Sequence, residues 1–250
     1  MTPAAGKRLI AMALARHPQV VRAMERGTLL IVAGTTNGYV AEEVLRAMGD
    51  TDFNRKRFFR GIVRRESIPK SAGALEGDVI IQRGKRIRGK TIYDVICGMG
   101  AGDVILKGAN AVNLASGETA ILCGNPTSGT IGAIYGAVTG RRALLITPVG
   151  VEKRVEEPVH DLCMLTNRAD ASGLRLAPSF GEAFTELDAI VHLTGARPHL
   201  VAAGGVCGCE GGAFFQCEGT QEQLNCLTEY IRQANREKRF SFVGQNEDGK

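Results

Sequence analysis

The sequence predicts an α/β protein: a mainly parallel three-layer α/β/α sheet, followed by a ferredoxin-like βαββαβ domain. Three observations predict it. Short apolar runs at 29–33, 103–107, 120–123 and 143–147 have strand length, and each ends in Gly, Asn, Thr or Pro. Stretches of helical period separate them, which implies right-handed crossovers between parallel strands. Beyond residue 172 the order becomes β-α-β-β-α-β, the split βαβ pattern. The expected division is an α/β ligand-binding domain over 1–155, a linker over 156–172 and the ferredoxin-like domain over 173–250.

Taken in order, Leu9, Ile10, Met12, Ala13 and Leu14, then Val20, Val21 and Met24, have helical spacing over 6–26, with a break at His17-Pro18 and an end at Gly27. Leu29 to Ala33 enters Gly34-Thr35-Thr36-Asn37-Gly38, and Val40, Val44, Leu45 and Met48 share one helical face beyond it. Asp78 to Gln82 reads as a strand that turns at Gly84 and returns through Ile87. Thr91 to Met99 reads as a helix, with Thr91 and Asp94 at capping-box spacing. Ala120 to Cys123 reads as a further strand of the parallel sheet. The helix after it carries Gly132, Gly136 and Gly140, a spacing of four that permits close approach to the sheet. In the last third, Leu174 to Ala177 reads as a strand and Ser179 to Leu193 as a helix capped by Ser179 and Glu182. His199 to Ala203 and Ala213 to Cys217 read as hairpin strands, Thr220 with Gln223 opens a helix, and Phe240 to Val243 reads as a last strand.

Composition narrows the function classes. The 250 residues are 44% hydrophobic and 23% charged, which excludes a disordered chain and a mini-protein. Residues 119–140 carry no charge, but five Gly and a run of Asn, Pro, Thr and Ser argue against a membrane span. Arg16, His17, Arg22 and Arg26 interrupt the first apolar stretch, so the expected location is the cytoplasm. Seven Cys in that setting argue against a disulfide framework, and the spacing of Cys207, Cys209 and Cys217 matches no usual metal signature. No metal and no cofactor are expected.

Charge is unevenly placed. Residues 55–90 hold 12 Lys or Arg against three acids, whereas 151–250 hold 10 against 15. The basic block has three readings besides a solvated face: a nucleic-acid or partner surface, a nucleotide-like cofactor, or a contact with the acidic part of a neighbouring subunit in a homo-oligomer.

In a parallel sheet, ligands collect beyond the carboxyl ends of the strands. Gly34, Thr35, Thr36, Asn37 and Gly38, then Gly108 and Asn110, then Gly124, Ser128, Gly129 and Thr130, are therefore expected to converge on one crevice. Two of these loops lead into helix N-termini, which favour a phosphate or carboxylate. The run 23–38, AMERGTLLIVAGTTNG, resembles the helix, strand and glycine–threonine loop that open the superfamily of ribose-5-phosphate isomerase A, glucosamine-phosphate deaminase and the CoA transferases; 102–113, GDVILKGANAVN, resembles its second signature. The resemblance covers roughly residues 6–150. It implies a phosphosugar isomerase or CoA transferase type of sheet and a small anionic metabolite, either a phosphosugar, a carboxylate or a CoA derivative. It also implies catalytic carboxylates, but Lys107 and Asn110 stand where the isomerase signature has acids. Glu118 is the nearest replacement base, with Lys107 and Asn110 left to bind an anion or polarise a carbonyl. The alternative is a non-catalytic binder.

Overall fold

The computed structural model describes residues 1–60 and 77–241. Helices α1 (Pro3–Leu14) and α2 (Pro18–Arg26) each begin on a proline, whose missing N–H costs nothing in a first turn. Then come β1 (Thr28–Ile31), α3 (Thr35–Ala47), β2 (Val79–Gln82), β3 (Lys85–Ile87), α4 (Ile92–Val95) and β4 (Val104–Leu106). A short hairpin, β5 (Ala111–Val112) and β6 (Thr119–Cys123), precedes α5 (Gly129–Tyr135), β7 (Leu144–Pro148) and α6 (Val159–Thr166). The remainder holds β8 (Arg175–Ser179), β9 (Glu182–Phe184), α7 (Glu186–Thr194), β10 (Arg197–Gly204), β11 (Gly212–Glu218) and α8 (Gln221–Ala234).

The main sheet has the order β3-β2-β1-β4-β7-β9. Strands β1, β4, β7 and β9 are parallel, and β2 and β3 join antiparallel at one edge. Alternation along the strands makes the layers. Leu29, Ile31, Val104 and Leu106 face one core with α1, α2, α3, α7 and α8, while Leu30, Val32 and Ile105 face a second with α4, α5 and β6. Both sets are fully buried, so a one-residue slip in register would exchange two complete cores. After β1 the chain first builds β2 on one side and then β4 on the other, so the direction of winding reverses between β1 and β4.

Five expectations change. The 120–123 strand forms, but it pairs antiparallel with β5 and β8 in a separate three-stranded sheet and does not join the parallel one. The 179–193 helix begins later: Glu182–Phe184 is a strand beside β7, and the cap is Thr185 with Asp188. The strands expected to form one ferredoxin-like sheet are divided instead, with β8 on β6 and β10 paired with β11. Phe240 and Ser241 are not in a strand, and 242–243 lie outside the described residues. Of the three spaced glycines only Gly132 is at a close approach, and its neighbour is the preceding loop: a Cβ there would stand 2.5 Å from the Thr127 carbonyl oxygen.

Among the described residues of the basic block, Arg55, Arg60, Arg86, Arg88 and Lys90 make ion pairs within the chain, Arg55 with Glu237 of the acidic C-terminal part. Among the described residues no helix is long and apolar enough to cross a membrane.

Candidate functional site

A cavity of about 450 Å³ opens at the winding reversal, against the carboxyl ends of β1 and β4. Three loops expected from the sequence meet in it. Gly34, Thr35, Thr36 and Asn37 come from the β1–α3 junction, Lys107, Gly108 and Asn110 from the end of β4, and Gly124, Ser128, Gly129 and Thr130 from the β6–α5 loop.

Each loop is held by its own residues. Asn37 donates both amide hydrogens, to the Val32 carbonyl at 2.7 Å and the Leu106 carbonyl at 2.8 Å, so one side chain ties the ends of β1 and β4. Buried Asp78 accepts from the Ala33 backbone N–H at 2.8 Å and from that of Ile92 at 2.7 Å, joining the first loop to the start of α4. Asn110 donates its backbone N–H to the Ala120 carbonyl and accepts at Oδ1 from the Leu122 N–H, so its carbonyl oxygen is spent on the β5–β6 hairpin. Asn125 accepts the Thr127 N–H and hydroxyl, which shapes the turn before left-handed Ser128 and Gly129.

Two predicted residues stand elsewhere. Gly38 is in the first turn of α3, where a Cβ would press to 3.2 Å on Arg55 Cβ. Glu118 lies exposed on the β5–β6 turn, accepts the Ser116 hydroxyl at 2.9 Å, and does not line the cavity. The expected second helix terminus is short: α5 has seven residues before a π-helical turn at Gly136–Gly140. The cysteines of the metal reading are far apart in character, with Cys207 and Cys209 exposed and Cys217 half-buried, and no described group of His, Cys, Asp or Glu could hold an ion.

The sequence reading missed Arg60 and Lys153, which line the same cavity. Lys153 sits in the turn after β7, so the strand-end rule that located the other loops applies to it too. Arg60 is signalled only as one of the cations of the 55–90 block. With Lys107 they bring three cations to one wall, and among the described residues no carboxylate lines it.

Their partners are mostly neutral. Lys153 Nζ donates to the Ala109 carbonyl at 2.8 Å, and Lys107 Nζ reaches the Gly108 carbonyl at 3.4 Å. Neither lysine makes an ion pair among the described residues, while Arg60 is paired with Asp78 at 2.7 Å. Burial pushes Lys107 down to about 8, with Lys153 and Arg60 adding repulsion. Burial also lowers Lys153, against the pull of Glu152. One further group waits for a partner. Thr36 Oγ1, in the first turn of α3, is buried and unpaired among the described residues.

The turn bearing Lys153 is anchored from behind. Glu186 is buried and accepts the Val151 N–H at 2.8 Å; Gly6 makes room for it, since a Cβ there would stand 2.2 Å from Glu186 Oε1. Burial, then the charge of Glu152, raises Glu186 to about 7.

No family model, no curated protein and no solved structure matches the chain.

Proposed function

We propose that the protein binds a small metabolite carrying a phosphate or carboxylate group in the crevice between β1 and β4. The observation that carries this reading is the convergence of Arg60, Lys107 and Lys153 on a cavity that no described carboxylate lines. Lys107 and Lys153 are withdrawn from solvent with no counter-charge among the described residues, which is costly, and an anionic ligand offsets that cost. The first turn of α3 adds unpaired backbone N–H groups and the positive end of the helix dipole. Buried, unpaired Thr36 Oγ1 adds a hydroxyl.

Support for the phosphosugar isomerase and CoA transferase resemblance is confined to the parallel sheet and the loop after its first strand. A proton shuttle between aldose and ketose needs a carboxylate base at the substrate. Glu118 does not line the cavity, and Asp78, which holds the first loop, is occupied by Ala33, Ile92 and Arg60. The reading therefore favours binding, with any chemistry resting on the lysines.

Thermal unfolding against a panel of inorganic phosphate, sugar phosphates and short carboxylates tests this. A ligand at 100 times its Kd stabilises the native state by about 2.7 kcal/mol. A rise in Tm with phosphates or carboxylates is expected. No shift with any of them at millimolar concentration would refute the reading.

A further inference from the structure

Lys107 continues β4 past its last residue. Its backbone N–H donates to the Ile146 carbonyl of β7, so the strand's alternation still holds there. The side chain therefore projects on the side of Ile105 and the second core, close to Cys123, and Lys107 lines the cavity. Its one described hydrogen bond is the long contact to the Gly108 carbonyl. Anion binding alone does not need this placement, because Arg60, Lys153, Thr36 and the start of α3 already supply donors on the same wall.

Resting on the anion-binding reading, we propose that Lys107 is a nucleophile that forms an imine with the carbonyl group of a small aldehyde or 2-oxo acid held by its phosphate or carboxylate. The division of labour follows from the geometry. Lys153 and Arg60 are held by the Ala109 carbonyl and by Asp78, in place to meet the anion, whereas Lys107 has no such anchor. A lysine attacks only as the neutral amine, and withdrawal from solvent beside other cations is how a neutral amine is kept near neutral pH. Burial and those two neighbours bring Lys107 to about 8, with Cys123 and Asp78 pulling the other way.

In the step itself, the Nζ lone pair forms a bond to the carbonyl carbon as the C=O π pair moves to oxygen. One proton passes from nitrogen to that oxygen, giving a carbinolamine. A second proton, from solvent, lets the oxygen leave as water, and the nitrogen lone pair closes the protonated imine. No oxidant or reductant is needed.

The test uses the full chain with two anionic aldehydes as probes, pyridoxal 5′-phosphate and glyoxylate, each reduced in place with borohydride and mapped by peptide mass spectrometry. The expected result is a reduced adduct on Lys107 in preference to the other lysines, with labelling that rises through pH 8. Pyridoxal, which lacks the phosphate, should label it about tenfold less, the effect of one lost charge-assisted contact. Lys107→Arg, which keeps the charge, should lose the adduct while still unfolding cooperatively as a folded chain. An adduct spread over other lysines, or equal labelling by pyridoxal, would overturn the proposal. If phosphate stabilises the wild type but Lys107 is not labelled, the imine fails and the binding reading stands. If neither occurs, both fail.

Discussion

Arg8 and Lys107 are both cations withdrawn from solvent in one molecule, and their surroundings differ in kind. Arg8, on α1, reaches Glu43 at 2.7 Å and Glu237 at 2.6 Å and also pairs with Glu42. Arg55 joins the same carboxylates, and the two guanidinium groups flank the Tyr39 ring at 5.1 and 4.2 Å from its centroid. Burial lowers Arg8, but the hydrogen bonds and charges of Glu42 and Glu237 outweigh it and leave it above its ordinary value. Lys107 and Lys153 have carbonyl oxygens where Arg8 has carboxylates, and burial takes both below theirs. The first cluster is satisfied by the chain and ties α1, α3 and the segment after α8 together. The second meets carbonyl oxygens and, at Arg60, Asp78 among the described residues, and it is this cluster that the proposed anion would complete.

The largest effect is expected in the satisfied cluster. Arg8→Met removes the one guanidinium shared by Glu42, Glu43 and Glu237, leaving them to Arg46 and Arg55 on the rim, and should cost about 3 kcal/mol in chemical denaturation. A loss under about 1 kcal/mol would mean the cluster is solvated and the comparison is wrong.

Next is Glu186. Its native pKa lies above its ordinary value, so between about 4.5 and 7 the native state binds the extra proton, and its contribution to stability is lost as pH rises through 7. Glu186→Gln should remove that decline and gain about 2 kcal/mol at pH 8 relative to the wild type. Parallel stability curves for the two proteins from pH 4.5 to 8 would contradict it.

Lys107 should respond in the opposite sense to Arg8. Because its native pKa is depressed to about 8, it burdens the fold below that pH, and the burden lifts as pH rises toward 10.5. Lys107→Met should therefore raise stability by about 1 kcal/mol at pH 7 while weakening anion binding. A fall in both would make Lys107 a structural residue. The smallest effect belongs to Thr36→Val, which replaces an unpaired hydroxyl by a methyl: stability unchanged within about 0.5 kcal/mol, phosphate affinity down several-fold.

The loops of the crevice are legible because glycine and threonine after an apolar run mark a strand end, and strand ends converge in a parallel sheet. Arg60 is not, because what brings it to the cavity is its pairing with Asp78, 18 residues away. Local signals also compete. Ser179 with Glu182 and Thr185 with Asp188 both have capping-box spacing, and the choice between them is made by β7, which takes 182–184 as a parallel neighbour. The partner of an apolar run is likewise absent from the run itself. Ala120 to Cys123 reads as a strand, yet pairing with β5 and β8 places it outside the parallel sheet. The resemblance implied acids where Lys107 and Asn110 stand, and Glu118, the candidate replacement and otherwise readable as a solvated turn residue, lies exposed on the β5–β6 turn and does not line the cavity.

The central claim, that the crevice is a site for a small anion, is tested most directly by calorimetric titration of inorganic phosphate and a sugar phosphate at low salt. The wild type is compared with a double variant carrying Lys107→Met and Lys153→Met. The expected result is saturable one-to-one binding to the wild type that weakens with added salt and is lost in the double variant. Equal binding by the two proteins, or no binding by the wild type, would contradict it.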